Sequence, residues 1–206
     1  MIKRLLVLFL LVTAPSWGIE PVDKIIARAL AINPGLLDYS ADIQLPLRAT
    51  LGFIPYNKNM NGRYYHKRPD KHKLDLQNAP GILKKYPNVF GFNLPDMARY
   101  KVLKVQPMNL RGTIPVYKII MIPKVRTSDI TGIDIYVNRS DYTIPKYDTF
   151  YVKGHLYVNI DFRKQGKYLV YDKMSADFEF PNVLATASAT YSNYQFNQNL
   201  QDSFFH

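Results

Sequence analysis

The chain has 206 residues and no cysteine, which excludes disulfide bonds and cysteine-linked lipids, so its fold depends on its own apolar core. Its 27 basic residues outnumber 16 acidic ones, and the net charge of +11 predicts anionic partners. Because an export signal removes the chain from nucleic acid, we expect these partners to be anionic membrane surfaces or acidic receptor proteins.

The first 18 residues have the pattern of a secretory signal peptide. A basic pair, Lys3-Arg4, precedes the apolar run Leu5 to Val12, and small residues lead up to Gly18. The run is shorter than the roughly 20 residues of a membrane-spanning helix. We therefore predict cleavage after Gly18, export to the periplasm or an equivalent extracytoplasmic space, and a single domain over residues 19–206.

One amphipathic helix is predicted at the start of this domain. Apolar residues recur at helical spacing from Val22 to Leu30, Asp23 complements the helix dipole, and Asn33-Pro34-Gly35 ends the pattern. The apolar face of this helix is expected to cover part of a sheet.

From Ala41 onwards the hydrophobic period changes to two, which is typical of half-buried strands. Turn signals at Asn61-Gly62, Arg111-Gly112, Asn138 to Asp141 and Gln165-Gly166 predict that consecutive strands are antiparallel. The fold class is therefore α+β, with one curved antiparallel sheet of about nine to eleven strands.

The alternation also divides the side chains between two faces. Polar residues such as Asp134, Asn159 and Asp161 are expected to face water. The aliphatic set is predicted to line the concave face and any ligand cavity there: Ile43, Leu45, Ile133, Ile135, Val137, Leu156, Val158 and Ile160.

The segment Asn78 to Arg99 does not follow the strand pattern. Prolines and glycines interrupt it, yet it is rich in apolar side chains. Two interpretations stay open: short helical turns packed statically on the sheet, or a lid-like helical segment over a cavity. In the second, Val89, Phe90 and Phe92 would contact the ligand.

The densest basic stretch runs from Lys58 to Lys73. Its Lys67, Arg68, Lys71 and Lys73 either face a membrane or protein partner, or form a solvated strand surface.

Two phrases of the sequence resemble the LolA/LolB-like lipoprotein-carrier superfamily. The first is NGRYYHKRPDKHKLDLQ, in which Gly62 and Tyr64 precede the turn Arg68 to Lys71 and a basic strand. The second is IDIYVNRSDYTIPKYDTFY, which is similar to the central hairpin of the family. An Asp-Gly hairpin of the better-known carriers is absent, and the segment Asn78 to Arg99 stands in its place.

The resemblance implies an open half-barrel with helical segments on its concave side, and a cavity that holds the acyl chains of lipids or acylated proteins. It implies no catalytic residue and a carrier that is not an enzyme. The alternative is an envelope sensor or adhesion module of the same fold that binds a protein without transport.

The residues themselves predict no catalytic centre, metal site or cofactor. The GxSxG and HExxH patterns are absent, and His66 and His72 are too far apart on one continuous strand to share a metal. A turn at Pro69 could bring them together, but we interpret both as surface histidines, and we expect the protein to be a monomer.

Overall fold

The computed structural model describes residues 19–77, 79–80, 99–125 and 129–205. Over these ranges the chain forms one α-helix and a single ten-stranded antiparallel sheet, which confirms the predicted fold class and strand count. Helix α1 spans Val22–Leu30. The strands are β1 (Asp38–Leu51), β2 (Ile54–Lys67), β3 (Lys71–Leu76), β4 (Tyr100–Leu110), β5 (Ile114–Pro123), β6 (Ile130–Asn138), β7 (Lys146–Tyr151), β8 (Gly154–Gln165), β9 (Tyr168–Phe180) and β10 (Val183–Phe196), and a short 3₁₀ helix follows at Asp202–Phe205.

The strand order is β3-β2-β1-β10-β9-β8-β7-β6-β5-β4. The first and last strands of the chain pair in the interior of the sheet, and β3 and β4 form its two edges. The sheet is curved and does not close into a barrel. It therefore has an inner face, on which α1 packs, and an outer face.

Helix α1 packs where the sequence predicted, against an apolar part of the inner face. Asp23 lies in its first turn and Arg28 in its last, so both charges complement the helix dipole. Ile25 is fully buried and Ile26 is nearly so, and both contact aliphatic side chains of β5 and β6. The described helix has nine residues and covers only part of a ten-stranded sheet.

The strand register keeps one set of side chains on the inner face across the whole sheet. Ile135 pairs with Ile119 and Tyr147, and Val158 pairs with Tyr147 and Ala176. The eight predicted aliphatic residues share this face, and each is at most 7% exposed.

The turn predicted at Asn61-Gly62 is wrong. Strand β2 runs through both residues, and Gly62 lies opposite Leu76 of β3. A Cβ atom at position 62 would collide with the backbone oxygen of Asp75. The glycine is required by close strand approach, and the β1 to β2 turn instead lies at Gly52, whose φ is +63°.

The expectation that Asp134 faces open water is also wrong. Asp134 does point to the outer face, but only 7% of it is exposed because neighbouring side chains cover it. Lys118 pairs with it at 2.8 Å, and Tyr136 of the same strand hydrogen-bonds to Asp148 at 3.1 Å. Asn159 and Asp161 are more open, as predicted, and Asp161 has a side chain that is 58% exposed.

Candidate ligand cavity

A cavity of about 310 Å³ opens at one end of the inner face. It lies between the C-terminal end of α1, the start of β1, the end of β2, the β6 to β7 turn, and the adjoining ends of β8 and β9. Its apolar lining consists mainly of Ala29, Leu30, Leu36, Tyr39, Ile144, Ile160, Phe162, Leu169, Val170 and Tyr171. The volume is at the lower end of the range of about 300–1,000 Å³ that is typical of small-molecule sites.

Polar groups at the mouth of this cavity hold its walls together. The Asn33 amide donates to the Leu169 backbone oxygen at 2.7 Å and accepts from the Leu169 N–H at 2.7 Å. Arg68 donates to the backbone oxygen of Ile32. The loop after α1 is therefore fixed to both β9 and the β2 to β3 turn, and the mouth is built by local hydrogen bonds.

A cluster of four tyrosines lies beside the cavity, and two of them, Tyr39 and Tyr171, line it. Tyr39 and Tyr64 have ring centroids 5.9 Å apart, Tyr64 and Tyr191 lie 5.8 Å apart, and Tyr171 and Tyr191 lie 5.6 Å apart. Burial raises the pKa of all four hydroxyls above the usual range, so they stay neutral at physiological pH. The abundance of tyrosine in the sequence carried no positional signal that pointed to this cluster.

His66 also lines the cavity, which contradicts its interpretation as a surface histidine. Its ring lies 5.1 Å from Tyr39, and its Nδ1 atom is buried without a hydrogen-bond partner among the described residues. Burial, followed by the positive charges of His72 and Arg68, lowers the pKa of His66 to about 4. The imidazole is therefore neutral at pH 7 and adds no charge to the cavity wall.

The turn at Pro69 does bring the two histidines together, because His66 and His72 are cross-strand partners in β2 and β3. No group of three or more His, Cys, Asp or Glu side chains within the described ranges has the geometry to hold a metal ion.

The predicted ligand-binding residues separate into three sets. Ile160 lines the cavity, and Ile43, Leu45, Leu156 and Val158 belong to the same buried cluster. The remaining three aliphatics pack directly with α1: Ile133, Ile135 and Val137.

Val89, Phe90 and Phe92 lie outside the described residues, and the interpretation of Asn78 to Arg99 as a lid stays a prediction.

The predicted basic surface is engaged by the C-terminal part of the chain. Lys67 and Lys71 pair with the two carboxylate oxygens of Asp202 at 2.6 and 2.7 Å, and together they lower its pKa to about 2. Lys73 donates to the backbone oxygen of Phe204 at 2.9 Å. Lys67, Lys71 and Lys73 therefore project from the outer face, whereas Arg68 lies at the cavity mouth.

A buried carboxylate on β1 anchors this C-terminal segment. Asp38 is 2% exposed and accepts hydrogen bonds from the backbone N–H groups of Gln198, at 2.6 Å, and Leu200, at 3.1 Å. No sequence pattern points to Asp38 or to this segment, because neither belongs to a periodic one.

Across the described part of the chain, no helix has the length and apolarity to span a membrane. No known family profile matches the sequence. No curated protein matches it either.

Solved structures do match the fold. A proposed outer membrane lipoprotein-sorting protein domain from Vibrio parahaemolyticus aligns with a TM-score of 0.59 and 14% identity over 89% of this chain and 95% of its own. The LolA superfamily protein NE2245 from Nitrosomonas europaea aligns with a TM-score of 0.59 and 9% identity over 89% of this chain and 96% of its own. A DUF1329 family protein from Desulfovibrio piger aligns with a TM-score of 0.59 and 14% identity over 91% of this chain and 98% of its own. Identities this low establish similarity of fold alone. On that basis the chain has a LolA-like fold.

Proposed function

We propose that the protein is an extracytoplasmic carrier that binds lipids or the acyl chains of lipoproteins and moves them between membranes. The observation that carries the proposal is the apolar cavity of about 310 Å³ between α1 and the inner face of an open LolA-like sheet. This proposal includes removal of residues 1–18 as a signal peptide.

The chemistry of the cavity favours an acyl chain over a polar ligand. Ile160, Phe162 and Val170 form an apolar wall, and each methylene buried against such a wall contributes about 0.8 kcal/mol. His66 is neutral at physiological pH, so no fixed charge opposes a hydrocarbon at this depth. The polar end of the ligand would stay at the mouth, beside Asn33 and Arg68.

Binding requires no chemical step in this proposal. The protein contributes a preformed cavity whose walls are fixed by hydrogen bonds, which reduces the entropy lost on binding. Release would then depend on the relative affinity of the acceptor membrane or receptor, and the protein would act without being an enzyme.

The basic side chains Lys67, Arg68, Lys71 and Lys73 are proposed to steer the carrier towards anionic headgroups or an acidic receptor. Because Asp202 already pairs with Lys67 and Lys71, a membrane phosphate would have to compete with this carboxylate. Raised salt is expected to weaken such steering, since exposed charges are screened beyond about 8–10 Å at physiological ionic strength.

The proposal is tested first by mass spectrometry of organic extracts from protein purified natively without detergent. We expect acylated lipid in these extracts, together with protein-dependent transfer of a fluorescent fatty acid between donor and acceptor vesicles. An empty extract combined with no uptake of the fatty acid would contradict the carrier and favour the protein-binding alternative.

A further inference from the structure

The most exposed hydrophobic side chains of the described chain are collected at one end of the sheet, away from the cavity mouth. They lie in or beside turns that join successive strands. We define this apolar end by five residues, with exposed fractions of 102% for Phe53, 70% for Ile54, 68% for Val125, 63% for Val152 and 61% for Leu184.

The strand register places these turns beside one another. At this end of β1, Leu51 pairs with both Ile54 of β2 and Val183 of β10. Val183 in turn pairs with Phe180 of β9, and the Gly52 N–H donates to the Asn182 backbone oxygen at 3.1 Å. The β1 to β2 and β9 to β10 turns are therefore neighbours.

The row formed by these neighbouring turns continues across the sheet towards β6. Gly154 begins β8 against Phe180, so closely that a Cβ atom there would collide with the Phe180 ring. The Val152 N–H donates to the Asp129 backbone oxygen at 2.8 Å, which joins the β7 to β8 turn to the connection that follows Val125. From β2 to β7 the row crosses five strand spacings, or about 24 Å.

Single exposed hydrophobic residues are ordinary on protein surfaces, but a row of them on projecting turns is not. Phe53 and Val152 lie in turns, and Leu184 borders a surface pocket of the outer face beside Asp177 and Glu179. The five side chains are separate exposed points along one end of the sheet, so they suit a phospholipid surface that each of them can enter.

Lys124 directly precedes Val125 in the sequence, Lys153 directly follows Val152, and both lysines are exposed. Lysines at this position can hold their charge among headgroups while the apolar neighbours enter the acyl region.

We propose that the apolar end is a membrane-docking edge whose partner is a phospholipid surface. Phe53 is the main insertion point, and the flanking lysines contact the headgroups. This edge differs from the basic residues on β2 and β3, because its contribution is hydrophobic and is expected to persist when salt screens charge. The inference needs membrane contact but no cargo, so it is tested separately from acyl-chain binding.

The experiment measures association of cargo-free, full-length protein with vesicles of phosphatidylcholine and phosphatidylglycerol, by sedimentation at low salt and at about 0.5 M salt. We expect Phe53→Ser to lower the partition coefficient about tenfold and Leu184→Ser to lower it about threefold at both salt concentrations. The matched control is Leu37→Ser, because Leu37 is 59% exposed and precedes β1 at the other end of the sheet. It is expected to change partition less than twofold.

A second measurement reports insertion directly. The chain has no cysteine, so Phe53→Cys or Leu37→Cys places one environment-sensitive fluorophore at a chosen end. We expect a blue shift on vesicle addition for the label at position 53 and none at position 37. Equal effects of Phe53→Ser and Leu37→Ser, or a label at position 53 that stays in water while the protein is bound, would overturn the proposal. Absence of vesicle association by the wild type at either salt concentration would overturn it as well.

Discussion

The inner face of the sheet has two halves with different chemistry. One half is aliphatic: Ile25 and Ile26 of α1 fill the space over Ile119, Ile133 and Ile135, and all five are at most 7% exposed. The other half is rich in tyrosine, with Tyr39, Tyr64, Tyr171 and Tyr191 beside a cavity.

The difference separates stability from binding. In the aliphatic half, the helix and sheet bury each other, and branched side chains leave no polar group to satisfy. In the tyrosine half, the rings of Tyr39 and Tyr171 line a cavity, so this part of the inner face is apolar but is not filled by α1. We therefore expect substitutions in the first half to change unfolding without changing ligand affinity, whereas the half around the cavity determines ligand affinity and makes smaller contributions to stability.

The largest effect is expected in the aliphatic half. Ile119→Ala removes a fully buried side chain and is expected to lower the free energy of unfolding by about 2–5 kcal/mol. Urea denaturation measures this loss. The fraction that stays folded should bind a fluorescent fatty acid with unchanged affinity, and Leu103→Ala, at a site 53% exposed, should alter neither quantity. A loss of fatty-acid affinity in folded Ile119→Ala protein would show that the aliphatic half also takes part in ligand binding.

The second effect is specific to the tyrosine half and depends on pH. The pKa of His66 is about 4 in the folded protein, against about 6.5 when unfolded, so the unfolded state binds more protons between these values. Stability should therefore fall as pH drops from 6.5 towards 4, by about 1–3 kcal/mol. Positive charges of His72 and Arg68 strengthen the shift, and Asp38 opposes it.

Urea midpoints at several pH values check this prediction. His66→Gln should flatten the pH dependence in that window, whereas His155→Gln on β8 should leave it in place. An unchanged slope in His66→Gln would show that other groups dominate the acid sensitivity.

A third substitution tests the border between the halves. Ala29→Phe places a ring in the cavity from α1 and should weaken fatty-acid binding about tenfold. Ala27→Phe lies on the exposed side of the same helix and should bind as the wild type does. Titrations corrected for the folded fraction measure both, and equal affinities would place the ligand elsewhere.

The smallest effect concerns one hydroxyl within the tyrosine cluster. The buried Tyr64 hydroxyl has no hydrogen bond of good geometry among the described residues, and its only side-chain interaction of that kind is with Tyr39, so Tyr64→Phe should be neutral or stabilising by up to about 1 kcal/mol. Tyr194 donates to the Tyr171 backbone oxygen at 2.5 Å, and Tyr194→Phe should cost about 0.5–1.5 kcal/mol. Thermal melts compare the two variants, and the reverse order would disprove this assignment of hydroxyl partners.

The sequence was sufficient to predict the sheet and its inner face, because a period of two leaves only one arrangement of buried side chains. Ile43, Ile135 and Val158 follow directly from that parity. Asn61-Gly62 was misread since a glycine needed for close strand approach has the same sequence signature as a turn glycine. Only the contact of Gly62 with β3 distinguishes a glycine required by close strand approach from a turn glycine.

The cavity could be predicted only in outline. Ile160 was identified by alternation, but His66 and Tyr39 reach the cavity because the end of β2 and the start of β1 border the same space as the start of β9, a relation between distant parts of the chain. The C-terminal segment was missed for a related reason. Its position depends on hydrogen bonds to Asp38, and a single buried carboxylate produces no periodic signal.

The most direct test of the central claim, that acyl chains bind beside the tyrosine cluster, is photocrosslinking with a diazirine-bearing fatty acid and mapping of the modified peptides. The account predicts labels on the strand ends around Tyr39, Ile160 and Tyr171, and their loss in Ala29→Phe but not in Ala27→Phe. Labels confined to β4, β5 and β6, or labelling that is the same in both variants, would contradict it.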